Sequence, residues 1–162
     1  MSNLNITYPV SLPILYHERI TGMFVINGDG SRFAIYDEGT KPNMKLKPLD
    51  ESLLMLLPLG QPEHPYTTKK LIAQLGMVAD SKAERRIRDA QSRLNLKRGI
   101  FIGGGRRDDG SQGIYLATTH EEALGAIEPY GKQAKTMMKR YEAMKKRIEN
   151  GYLMQGGGQD AD

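Results

Sequence analysis

The sequence predicts an α+β chain. A short helix, a tight turn, an arginine-rich helix and a glycine-rich hairpin stand between a β-rich start and a long basic helix. Three observations carry this prediction. Between Ser81 and Leu94, the residues Ala83, Ile87, Ala90 and Leu94 recur at spacings of four, three and four, so one narrow stripe faces a core. Next, Ile100 to Ile102 and Gly113 to Ala117 read as strands on either side of a glycine-rich segment. Finally, charge is segregated: residues 65–107 hold eleven bases and three acids, residues 131–151 seven and two, and residues 1–64 five and seven. Solubility alone needs no such sorting.

Taken in order, Met23 to Ile26 and Phe33 to Tyr36 flank Asn27-Gly28-Asp29-Gly30, whose residues tolerate the positive φ of a hairpin tip. Thr40 to Lys47 reads as a linker. A helix begins near Asp50, whose side chain is placed to cap it, and runs through Leu53, Leu54, Leu56 and Leu57 to Pro58. After a loop from Gln61 to Pro65, Thr67 or Thr68 caps a helix that ends at Gly76 and buries Leu71, Ile72 and Leu75. Lys69 and Lys70 in its first turn oppose the helix dipole unless an anion lies beside them.

The next helix, Ser81 to Leu94, carries Ser81, Lys82, Arg85, Arg88, Asp89 and Ser92 on its polar side. Guanidinium groups there can fork onto guanine or onto phosphate, and short polar side chains let the helix approach closely. Gly99 ends the pattern. The hairpin tip, Gly103 to Gln112, bends at its glycines and offers Arg106 and Arg107 to a groove or a phosphate, while Asp108 and Asp109 repel phosphate, so that the wing either turns them outward or contacts no DNA. This order of elements is that of a winged helix-turn-helix.

Thr119 caps a further helix with Glu121 and Glu122 in its first turn, which Pro129 interrupts or kinks. A basic amphipathic helix follows to about Gly151. Its Ala134, Met137, Met138, Tyr141, Met144 and Ile148 recur at three and four, with Tyr152 a further four on, and suit a contact between subunits. Self-association as a homodimer is expected through Met137, Tyr141, Met144 and Ile148. The chain thus divides into a β-rich module over 1–46, a winged helix over 47–128, the basic helix over 129–152 and a disordered tail over 153–162, which holds three consecutive glycines.

Composition narrows the function. The chain has 162 residues, 39% of them hydrophobic, and no cysteine, so disulfides, thiolate metal sites and cysteine nucleophiles are excluded. No apolar run approaches a membrane span, and the start has no leader pattern, so no membrane contact is expected and the location expected is cytoplasmic, on the nucleoid of a bacterial host when bound to DNA. His17, His64 and His120 lie far apart, without metal-ligand spacing. Gly103-Gly104-Gly105 lacks the Lys-Ser or Lys-Thr of a phosphate-binding loop, and Asp29 lacks the remaining ligands of a calcium loop. The expectation is a protein that is not an enzyme and uses no metal or cofactor.

Several runs carry a family resemblance: Leu57-Pro58, Tyr66-Thr67-Thr68-Lys69-Lys70-Leu71, Leu75-Gly76-Met77 before the arginine-rich helix, and Gly113-Ile114-Tyr115-Leu116-Ala117-Thr118-Thr119 leading into the long basic helix. In this order they resemble small winged-helix DNA-binding proteins of bacteriophage and mobile elements, over about the last two-thirds of the chain. The resemblance implies sequence-specific binding of double-stranded DNA in replication or transcription regulation. Base reading falls to the second helix of the pair, and phosphate anchoring to Thr67, Thr68, Lys69, Lys70, Arg106 and Arg107. The alternative is a protein-interaction module, in which the fold is a scaffold and the N-terminal hairpin or the Met-rich helix binds a phage or host protein. Charge segregation, which a scaffold does not need, favours DNA.

Overall fold

A computed structural model describes residues 6–60 and 64–151. The tail, Tyr152 and part of the loop from Gln61 to Pro65 lie outside the described residues. The chain is α+β, as expected, and falls into two units, residues 1–126 and residues 127–162.

The first unit opens with an antiparallel meander of β1 (Val10–Tyr16), β2 (Arg19–Ile26) and β3 (Arg32–Tyr36). The expected hairpin is β2–β3. Strand β1 was not anticipated, because Pro9 and Pro13 break a strand pattern; an edge strand tolerates them, since its outer side has no ladder to feed. Alternation sends Ile14, Phe24 and Ile26 inward.

Helix α1 is Pro48–Leu56. It starts two residues before the expected cap, with proline in the first turn, where a missing N–H costs nothing. Asp50 is therefore inside the helix rather than capping it, and it is 1% exposed. Its carboxylate accepts two hydrogen bonds from Arg93, at 3.0 Å from Nε and 2.7 Å from Nη2. At the other end, Arg32 Nη1 donates to the carbonyls of Leu54 and Leu57, both at 2.7 Å, and so satisfies orphan acceptors with a cation.

Helix α2 (Thr68–Gln74) is capped by Thr67, whose hydroxyl accepts from Lys70 N at 3.1 Å. Gly76, at φ +69°, turns the chain in the left-handed region, and Met77 N returns to Ile72 O. Asp80 caps α3 (Ser81–Arg93) through Ala83 N, at 2.8 Å. The predicted stripe of Ala83, Ile87, Ala90 and Leu94 is buried. A π-turn (Leu94–Arg98) then precedes Gly99. It aims the Asn95 side chain at Ile102, accepting from its N–H at 2.8 Å and donating to its carbonyl at 3.3 Å.

The second hairpin is β4 (Ile102–Arg106) and β5 (Gln112–Leu116). Here the expectation needs correction: Gly103, Gly104 and Gly105 are not the flexible tip but pair in register with Tyr115, Ile114 and Gly113. A Cβ on Gly103 would lie 2.5 Å from the Tyr115 ring, so glycine makes room for that side chain. The tip is Arg107 to Ser111, built like the tip of β2–β3. In each, an Asp-Gly-Ser run places its aspartate to accept from the serine N–H at 2.9 Å and from the serine hydroxyl at 2.6 Å.

Strand β5 also exchanges both backbone hydrogen bonds between Ile114 and Tyr66. A Cβ on Gly113 would meet Pro65 at 2.8 Å and the Tyr66 carbonyl at 2.9 Å. Gly113→Ala is expected to cost about 1–3 kcal/mol through this overpacking, read as a lower melting temperature. Unchanged stability would mean that the Tyr66 segment is loosely held.

One core joins Ile14, Phe24 and Ile26 of the first sheet to Leu53, Leu54 and Leu57 of α1, Leu71 and Ile72 of α2, Ile87 and Leu94, and Ile102 and Leu116 of the hairpin. The segments 1–46 and 47–128, read from sequence as separate, thus share an interior. Helix α4 (His120–Glu149) begins with a reciprocal cap in which Thr119 Oγ1 accepts from Glu122 N at 3.1 Å and Glu122 accepts from Thr119 N at 3.2 Å. Pro129 does not interrupt it: the two expected helices are one continuous helix of 30 residues.

Candidate nucleic-acid interface

With Ala83, Ile87, Ala90 and Leu94 in the core, helical geometry turns Ser81, Lys82, Arg85, Arg88, Asp89 and Ser92 to the opposite side, and all six are exposed. Arg85 stands at the centre of this face. Among the described residues, Lys82, Arg85, Arg86 and Arg88 make no hydrogen bond or ion pair.

Other arginines are occupied by the fold. Arg93 holds Asp50. Arg98 donates to the carbonyls of Leu15, Met44 and Lys45 at 2.9–3.1 Å. Arg107 donates to Pro65 O at 2.6 Å, so it fastens the hairpin tip to the loop before α2, while Arg106 is exposed.

Sequence reasoning missed Arg86. It is exposed and borders a shallow depression of about 340 Å³ with Lys47, Pro48, Leu49, Asp89 and Arg93. Its spacing of four from Lys82 was the available signal, since the two share one flank of α3.

At the start of α2, Lys69 and Lys70 are both exposed, and Lys70 Nζ sits 3.9 Å from the centre of the Tyr66 ring, over its π face. Thr67 uses its hydroxyl as the cap, and Thr68 is half-buried. At the hairpin tip, the Ser111 hydroxyl and amide hold Asp109 below the usual carboxylate range. Its charge is thus folded into its own turn rather than projected forward. Asp108 remains exposed.

A second concavity, of about 400 Å³, lies between the β1–β2 turn and the end of α3 and is lined by Tyr16, His17, Glu18, Lys47, Lys97 and Arg98, among others. His17 and Glu18 there adopt φ of +48° and +65°, a region that residues other than glycine rarely enter. Among the described residues, no three histidine, aspartate or glutamate side chains come together as a metal site, and no helix is long and apolar enough to cross a membrane. Comparison with protein-family models, with curated proteins and with solved structures finds no match.

Proposed function

We propose that the chain is a winged helix-turn-helix protein that binds double-stranded DNA, with α3 presented to the major groove and the β4–β5 hairpin serving as the wing. Within that class, the proposed role is replication or transcription regulation of the bacteriophage or mobile-element kind, inside a bacterial cell. One observation carries the reading: the fold consumes Arg32, Arg93, Arg98 and Arg107 in internal bonds but leaves the cations on the outer face of α3 unpaired. A helix face with several unneutralised charges and short Ser81 and Ser92 between them suits a polyanion with readable base edges. Lys69, Lys70 and Arg106 supply phosphate contacts, and Thr67, Thr68 and Arg107 shape the backbone around them.

The test is titration of a labelled random duplex at several salt concentrations. Affinity is expected to fall steeply with salt, at roughly 0.9 in logarithmic slope for each phosphate neutralised. A flat salt dependence would sink the proposal. Lys69→Ala with Lys70→Ala is expected to weaken binding to all sequences alike and to flatten the slope by about 1 for each lysine on a phosphate. A loss confined to one preferred sequence would instead assign these lysines to base reading.

A further inference from the structure

The second unit buries no side chain among its described residues up to Asn150. Its part of α4 nevertheless carries a regular apolar repeat. Tyr130, Ala134, Met137, Tyr141, Met144 and Ile148 follow one another at four, three, four, three and four, the a/d pattern of a heptad seam, and the large members are 52–57% exposed. An isolated helix gains little from propensity alone, so such a face is stabilised by something that covers it.

The charges beside the seam say what that is. Positions e and g, which flank an a/d seam and set partner choice, hold Gly131, Gln133, Met138, Arg140, Lys145 and Arg147, with no acid among them. The acids Glu128, Glu142 and Glu149 all fall at position b, away from the seam. A second copy was the occupant expected from sequence, but it adds more base and offers no acid to any flank. In a parallel pair, Arg140 of each copy faces Lys145 of the other. A bilayer surface favours a broad apolar face, whereas this one is two residues wide per heptad. Duplex DNA answers the bases but not the methionines and tyrosines.

We propose that this face of α4 docks an acidic amphipathic helix of a partner protein, with apolar residues at its a and d positions and glutamate or aspartate beside them. The flexible methionines fill the seam against varied apolar side chains. The flanking bases select the partner by charge and reject a basic helix. This inference does not rest on the DNA reading.

The experiment uses the full chain and three synthetic helical peptides: one with leucine at a and d and glutamate at e and g, one with lysine in place of glutamate, and one with glutamate kept but serine at a and d. Binding is followed by fluorescence anisotropy at low and high salt, with DNA binding measured in parallel. The acidic apolar peptide is expected to bind at least about tenfold more tightly than the lysine peptide, as several flanking pairs change sign together. The serine peptide is expected to fail.

Arg140→Glu with Lys145→Glu and Arg147→Glu should reverse the preference toward the lysine peptide. Tyr141→Glu with Met144→Glu should abolish binding of both. Both sets lie on an exposed face, so circular dichroism and thermal melting serve to check that the body remains folded. Equal binding of the acidic and lysine peptides would overturn the proposal, as would equal binding of the serine peptide. So would a stable dimer by sedimentation that excludes the acidic peptide, or seam-dependent capture by anionic vesicles in place of the peptide.

Discussion

Arg93→Ala is expected to lower the stability of the first unit by about 3 kcal/mol, near the low end for breaking a buried ion pair, because the Arg93 side chain is 28% exposed and water can reach part of the gap. The cost arises at Asp50, which is 1% exposed and loses both guanidinium hydrogen bonds at once. Its carboxylate sits in the first turn of α1, so the remaining compensation is the helix dipole. Replacing both partners, Asp50→Leu with Arg93→Met, is expected to recover most of the loss, since an apolar pair leaves no charge stranded. Urea denaturation of the wild type, the single variant and the double variant checks this. If Arg93→Ala were as stable as the wild type, the pair would be an ornament of the surface rather than the tie between α1 and α3.

Arg85→Ala combined with Arg88→Ala carries the largest expected effect on binding. Each arginine that forks onto a base edge contributes about 1–3 kcal/mol of discrimination, so the pair together is expected to lower affinity for a selected site by about two orders of magnitude or more. Random duplex should lose much less, because the lysines and Arg106 are untouched. The measurement is a comparison of a site enriched from a random library with bulk duplex, for both proteins. Stability should not change, since neither side chain touches the core. Equal affinity and equal preference in the variant would remove α3 as the reading element, whatever the fold.

What the sequence displayed and what it concealed separate along one physical line. The stripe of α3, the Thr67 and Thr119 caps, the Gly76 turn and the Asn27 to Gly30 hairpin tip are local signals, each set by residues within a few positions of one another, and each was legible. Asp50 was misread as a cap because its partner, Arg93, lies 43 residues away and nothing nearby announces it. The triple glycine was misread as a flexible tip for a similar reason: the Tyr115 ring across the ladder, which requires glycine at Gly103, lies 12 residues further on. Pro13 hid β1, and Pro129 suggested a break that α4 does not have. In the candidate site, helical phase gave the outer face of α3 correctly, but it could not tell which basic side chains the fold had already claimed. Arg107 reaches Pro65.

Arg98 shows how far such claims extend. By bonding the carbonyls of Leu15, Met44 and Lys45, it joins the turn that ends α3 to the opening strands and to the segment before α1. Transplanting residues 47–119 onto another scaffold, as is done with modular readers, therefore does not yield a portable part. The graft would carry a guanidinium without acceptors and would lose Ile14, Phe24 and Ile26 from its interior. The same dependence limits evolution by recombination. A crossover near residue 46 would part side chains that share one interior, among them Ile14 and Phe24 on one side and Leu53 and Leu94 on the other.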